Sequence, residues 1–219
     1  MEIGASLGNW VGEAESALAM SEGERINTWN LECVGDWVAA DAGIANAEPD
    51  ANIVADGTVL RIYGDIDSGF HDRFLAALDA NPQVTVIELG SGGGSVKDAL
   101  AAGREIRQRG LNTQLFGNCY SACPLVFVGG VNRVLWAYVR HDFGFHRLAT
   151  RDGAALPDDH AFYGLISDYL TEMGVDAPTY TGWMQSAAPE DMFTPSPEEL
   201  CAPGIATFVQ RVCNAEGTF

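Results

Sequence analysis

The sequence predicts an α/β fold, on three observations. Short β-branched runs such as Val84-Thr85-Val86-Ile87-Glu88-Leu89 read as strands, and Phe70, Phe74, Leu75 and Leu78 recur at helical spacing. Glycine clusters at Gly90–Gly94 and Gly129-Gly130 separate such stretches. Strand and helix then alternate at short intervals, a pattern that layers helices on a sheet and sends the strand ends into loops where ligands bind. With 219 residues, 47% of them hydrophobic, the chain can build one full-sized core and a small appendage.

The elements follow in order. Residues 1–56 read as a loosely organised extension rich in Ala, Gly, Glu and Asp, with a linker at Ala47-Glu48-Pro49-Asp50 and with Trp29, Leu31, Val34 and Trp37 as anchors. The catalytic-domain candidate is 57–219. Thr58 to Tyr63 is its first strand, 68–80 an amphipathic helix stopped by Asn81-Pro82, and Val84 to Leu89 the second strand. Ser95 caps a helix that runs to about Arg109, where Gly110 ends it. Thr113 to Phe116 is a strand, Gly117 to Tyr120 a turn, and Ser121 to Val128 a buried helix. Arg133 to Val139 returns as a strand, and Phe143 to His146 is a short strand end. Helices are expected at 158–173, with Phe162, Leu165, Ile166 and Leu170 inward, and near 177–187, before a last strand near Ile205 to Phe208.

Charge narrows the function. Lys and Arg number 12 against 30 Asp and Glu, a formal balance of −18. Nucleic acid is a poor partner for such a surface, because binding it takes clustered cations. No stretch reaches the roughly 18 apolar residues of a membrane span. Met1 to Met20 carries Glu2, Glu13 and Glu15 and no basic start, so it is not an evident signal peptide. None of the cysteines, Cys33, Cys119, Cys123, Cys201 and Cys213, forms a Cys-x-x-Cys pair, so no metal site is expected. Cys119/Cys123 and Cys201/Cys213 are either disulfides of an oxidising compartment or buried thiols.

Two strand–turn–helix junctions carry the chemistry. In Gly90-Ser91-Gly92-Gly93-Gly94-Ser95 the backbone can approach a ligand, and the helix that follows offers free N–H groups. A dinucleotide fingerprint would need a third glycine where Ser95 stands and an acid some 20 positions on, and both are missing. In Cys119-Tyr120-Ser121-Ala122-Cys123 a serine sits between a strand and a buried helix, the logic of a nucleophile elbow without its flanking glycines. Taken alone, such a serine is an ordinary helix cap. A serine nucleophile needs a base, and histidine is the usual one. His146 lies 25 residues after Ser121, room for a helix and a strand returning to the same sheet end, whereas His71 and His160 fall on expected helices and His141 beside Asp142 in a loop.

Together, Ser91-Gly92-Gly93-Gly94-Ser95-Val96, Cys119-x-Ser121-Ala122-Cys123 and Gly144-Phe145-His146 resemble the Clp-type serine peptidases, and among them a bacterial periplasmic Clp-like group. The resemblance covers roughly residues 57–208 and extends to Tyr169–Asp176 and Asp191-Met192-Phe193. It implies a Clp-protease/crotonase-like fold of repeated ββα units, with Ser121 as nucleophile, His146 as base, and the N–H groups of Gly93 and Ala122 as the oxyanion hole. Gly92 stands where the family usually has proline. The family's acid would fall at Ala187, so Asp191, with Glu190 beside it, is the candidate to orient His146. A peptide or protein substrate, a homo-oligomer, no cofactor and a periplasmic or exported setting are further implications; an unfoldase partner is not identified. Two alternatives remain at this point: a catalytically degenerate binding or assembly module, and an acyl-CoA hydratase or isomerase, which would need basic residues beyond Lys97 and Arg104 near the glycine loop.

Overall fold

The structure, a computed structural model, describes residues 18–20, 51–136, 141–150 and 153–213. The chain divides between Pro49 and Asp50. Most of the expected N-terminal extension, with Cys33 and the tryptophan anchors, lies outside the described residues, as does the expected continuation of a strand to Val139. Among the described residues no helix is long and apolar enough to cross a membrane.

The second unit begins with a hairpin whose first strand falls within the expected extension and whose second is the expected strand at Thr58 to Tyr63. β1 (Asn52–Asp56) pairs antiparallel with β2 (Val59–Tyr63), Asp56 opposite Val59. Gly57, at φ 58, turns the chain between them, and a glycine opening a two-residue loop is the chemistry such a turn requires. The body of the sheet is parallel. β2 pairs with β3 (Val86–Ser91), β3 with β4 (Asn112–Tyr120), β4 with β5 (Arg133–Leu135) and β5 with β7 (Phe208–Val209). Helices α1 (Phe70–Ala80), α2 (Val96–Gln108) and α3 (Cys123–Phe127) make the crossovers, and α4 (Ala161–Glu172) and α5 (Ala177–Ser186) follow β6 (Phe143–Gly144).

Two expectations are corrected. β4 does not stop at Phe116. Gly117 and Cys119 continue the inward alternation begun by Thr113 and Leu115, and β6 supplies hydrogen-bonding partners for this second half, Cys119 opposite Phe143 and Tyr120 opposite Gly144. On α4 the buried stripe is Tyr163, Ile166, Tyr169 and Leu170, while Phe162 and Leu165 are 50% and 53% exposed. The helix is rotated by one position because two tyrosines, not the phenylalanine, supply the inward ring surface.

The short helix α3 is wholly buried. The chain just beyond its C-terminal end is met by two arginines: Arg107 donates to the carbonyls of Val128, Gly129 and Gly130 at 3.1, 2.9 and 2.8 Å, and Arg133 to that of Gly130 at 2.9 Å and to that of Gly204, in the tail, at 2.8 Å. Burial first, and the nearby Arg107 charge second, bring the Arg133 guanidinium down to about 10. Helices α2 and α3 approach closely because Gly103 and Gly129 face each other: a Cβ on Gly129 would strike the Gly103 backbone, and one on Gly103 would strike the Tyr169 hydroxyl and, at 2.9 Å, the Leu125 carbonyl.

That contact generates a stability prediction. Gly103→Ala gains about 1 kcal/mol in helix propensity but forces this crossing apart, and overpacking of a core costs about 1–3 kcal/mol. A lower urea midpoint at unchanged m-value is expected; a midpoint equal to or above that of the parent would show that the crossing has slack.

Candidate active site

The C-terminal ends of the parallel strands converge on one edge of the sheet. β4 ends at Tyr120 and α3 begins at Cys123, so the chain must reverse within two residues. Ser121 makes that reversal at φ 58, a left-handed conformation that costs a non-glycine residue about 1–2 kcal/mol. Its N–H donates to the Gly144 carbonyl at 2.8 Å, and the N–H of Cys119 donates to Asp142 at 2.9 Å. The Cys119–Cys123 disulfide spans the turn two residues to either side of Ser121, its sulfur-bearing residues fully buried. A second disulfide joins Cys201 to Cys213 near the tail. Both pairs of cysteines that the sequence left open between thiol and disulfide are therefore bridged.

His146 follows β6 directly. It is held by its neighbours: Phe145 exchanges two backbone hydrogen bonds with Phe193, at 2.9 and 2.8 Å, and Arg147 N–H donates to the Ala187 carbonyl at 3.1 Å. The Phe145 ring is buried against Tyr180 and Trp183. This anchoring places His146 Nε2 2.7 Å from Ser121 Oγ. Burial pushes the imidazole pKa below its ordinary value, and the nearby Pro189 carbonyl acts in the opposite, smaller sense. Nδ1 is buried and makes no hydrogen bond. A carbonyl can only accept, so it favours the tautomer with the proton on Nδ1 and the Nε2 lone pair towards Ser121.

Asp191 does not take the third place. It is exposed and forms no hydrogen bond or ion pair with His146. Its N–H closes a turn onto the Ala188 carbonyl at 3.0 Å, and the 187–193 segment meets the chain around His146 through main-chain groups: the carbonyls of Ala187 and Phe193 accept from Arg147 and Phe145, and the Pro189 carbonyl lies by the imidazole. Glu190 is likewise exposed.

Gly93 is pressed against Ser121. At φ 103, a Cβ there would lie 2.5 Å from Ser121 Cβ and 2.8 Å from Ala122 N. No other residue fits, which explains the glycine. Its N–H donates to Ser91 Oγ at 3.1 Å, so in this structure the expected oxyanion donor is occupied. The N–H of Ala122 precedes the first turn of α3 and has no acceptor within its helix. The structure thus brings together Ser121, His146, Gly93 and Ala122, and leaves Asp191 out. Sequence reasoning missed Ser91 as the partner of Gly93, and missed Asp65, whose Oδ1 lies 3.2 Å from where a Cβ on Gly92 would be. The short Ser-x-Gly spacing was the available signal for the first.

No protein-family model matches the sequence, and no curated protein is detectably similar to it. Solved structures are similar in fold. A substrate-peptide complex of the 1510-N membrane-bound stomatin-specific protease is 16% identical, with a TM-score of 0.50 over 72% of this chain and 77% of that one. The ClpP protease catalytic domain from Plasmodium falciparum is 15% identical, with a TM-score of 0.53 over 70% of this chain and 85% of that one. A mutant of ClpP1 from Listeria monocytogenes is 16% identical, with a TM-score of 0.52 over 71% and 92%. A parallel sheet with helical crossovers thus has its counterparts among solved protease structures, and the chain has a Clp-protease-like fold.

Proposed function

We propose that the protein is a serine-type peptidase working through a Ser121–His146 dyad. One observation carries this reading: a serine held in the left-handed region at a strand–helix turn, its hydroxyl 2.7 Å from an imidazole. Ser121 Oγ attacks the peptide carbonyl carbon while His146 Nε2 takes its proton. The oxygen becomes an oxyanion, received by the Ala122 N–H and by the Gly93 N–H once that group exchanges Ser91 for the substrate. Donors of this kind contribute about 3–4 kcal/mol each to the transition state. The imidazolium then returns its proton to the leaving amine, and water, deprotonated by the same ring, releases the acyl group. The two disulfides support an exported, oxidising setting, and the exposed Phe162 and Leu165 of α4 support self-association through that helix.

A second reading, a Clp-like binding module without turnover, is favoured by the buried, unpartnered His146 Nδ1 and by the missing carboxylate. Thioester chemistry on CoA esters finds little support, since near the glycine loop Arg104 is paired with Glu172.

Three measurements test the proposal. A fluorophosphonate should label Ser121, with the site identified by mass spectrometry, and His146→Ala should slow labelling by about 10²–10⁴-fold, the range of a general base; no labelling of the folded wild type would favour the binding module. The reactive form is the neutral imidazole, and burial lowers its pKa. The acid limb of the labelling rate should therefore have its midpoint below 6.5, and a midpoint at or above that value would contradict the geometry. Replacing Cys119 and Cys123 together by serine removes a short loop closure, a loss of about 2 kcal/mol in stability. It also lets the strained turn relax, so labelling should fall roughly tenfold, matching a strain of about 1–2 kcal/mol. Unchanged labelling in the double variant would show that β6 and α3 hold Ser121 without the disulfide.

A further inference from the structure

Across the edge that carries the dyad, the strand ends stand in a row. His146 follows β6, Ser121 follows β4, Gly92 and Gly93 follow β3, and Asp65 lies two residues beyond the end of β2. The row is held together beyond the strands: Ile66 N–H donates to the Gly93 carbonyl at 2.7 Å and Ser95 N–H to the Ile66 carbonyl at 2.6 Å. Neighbouring strands lie about 4.8 Å apart, which puts Asp65 roughly 10 Å from Ser121, on the Gly93 side. That is the reach of a long side chain borne by a residue at or next to the reacting carbonyl.

Asp65 is a charge without a counter-charge. Its carboxylate is exposed and makes no hydrogen bond or ion pair among the described residues. Partial burial first, and then Asp67 of the same sign, raise its pKa above the ordinary value. Asp67 is itself neutralised by a two-point pair with Arg73, at 2.9 and 2.5 Å, and Asp98 is committed to Ser95 and to the N–H groups of Gly69 and His71. The absence of a side chain at Gly92 matters here. A Cβ at that position would press on Asp65 Oδ1, so the departure from the family's proline leaves the carboxylate open towards the loop. Gly92 is exposed, and its position between Asp65 and Gly93 is where a substrate strand would lie.

We propose that Asp65 selects the substrate of this site, and that it selects peptides bearing a lysine or arginine side chain beside the scissile bond. The assignment rests on the peptidase reading for the position of the scissile bond. A cationic side chain lying over Gly92 reaches the carboxylate, and the overall charge of −18 draws such peptides towards the surface. Neutral and acidic side chains at that position find either no partner or a repelling one.

The test separates binding from turnover. On the Ser121→Ala protein, fluorescence anisotropy measures the affinity of an N-acetylated fluorescent peptide with one central lysine, and of its norleucine counterpart. Lysine should bind on the order of tenfold tighter, the scale of one charge pair at a partly exposed site. Asp65→Asn should bring the ratio close to one and Asp65→Glu should preserve most of it. A lysine preference that survives Asp65→Asn, or no preference at all, overturns the proposal. If a free N-terminus on the norleucine peptide supplies the whole advantage, the terminal ammonium is the recognised cation and the side-chain assignment falls. Failure of the wild type to react with a fluorophosphonate would overturn hydrolysis but leave this affinity ratio as measured, so the two readings fail separately.

Discussion

Everything at the candidate site depends on the left-handed backbone of Ser121. A parallel strand that turns directly into a buried helix has two residues in which to reverse, and one of them must leave the ordinary regions of φ and ψ. Glycine would do so without strain; serine at φ 58 does not. The conformation persists because its surroundings determine it from several sides. β6 fixes the end of β4 and accepts the Ser121 N–H. The disulfide ties the residues before and after the turn. Gly93 closes against Ser121 Cβ where no side chain could. At its far end α3 is held by Arg107 and Arg133. The result is a hydroxyl projected from the sheet edge, in the one place where His146 can reach it.

The parts of this arrangement that were legible in the sequence are those set by local chemistry. Ser95 capping α2, Gly110 ending it, and the stripe of Phe70, Phe74 and Leu78 on α1 depend on residues a turn apart, and the structure has them as expected. Ser121, His146, Gly93 and Ala122 were readable because glycines, a serine at a strand–helix junction and a histidine at a returning strand each carry a local signal. What depended on distant partners was not readable. The second half of β4 exists because β6, more than 20 residues later, pairs with it. The inward face of α4 was decided by which rings fit the core, a question of volume rather than period. The placement of Asp191 away from His146 is of the same kind. Proximity in sequence to Phe193, which does pair with Phe145, says nothing of which way the turn at Ala188–Asp191 directs its side chains.

The environment of His146 shows what the missing carboxylate changes. A carboxylate beside Nδ1 would stabilise the imidazolium and raise its pKa, whereas here burial dominates and lowers it. The ring is therefore neutral, and available as a base, over a wider range of pH. The same feature disfavours its charged form. Loss of an orienting acid in sites of this type lowers the rate without abolishing catalysis, because the oxyanion donors and the serine remain. Orientation of the ring then falls to packing: the buried Phe145 and the main-chain bonds of Phe145 and Arg147 hold the backbone on both sides of His146.

The row of strand ends also separates the Ser121–His146 pair from the loops beside it. Ser121 and His146 follow β4 and β6, while Asp65 and Gly92 lie on the loops after β2 and β3. Between them stands the glycine loop, which must approach the nucleophile closely and so admits no side chain at Gly93. One residue earlier, at Gly92, the constraint is weaker: a Cβ there would meet a carboxylate oxygen at 3.2 Å and not the nucleophile. A change at Gly92 or Asp65 can leave the strained turn undisturbed, because neither residue contributes a bond to the Ser121–His146 pair. The backbone is over-determined at Ser121 and freer to vary at Gly92.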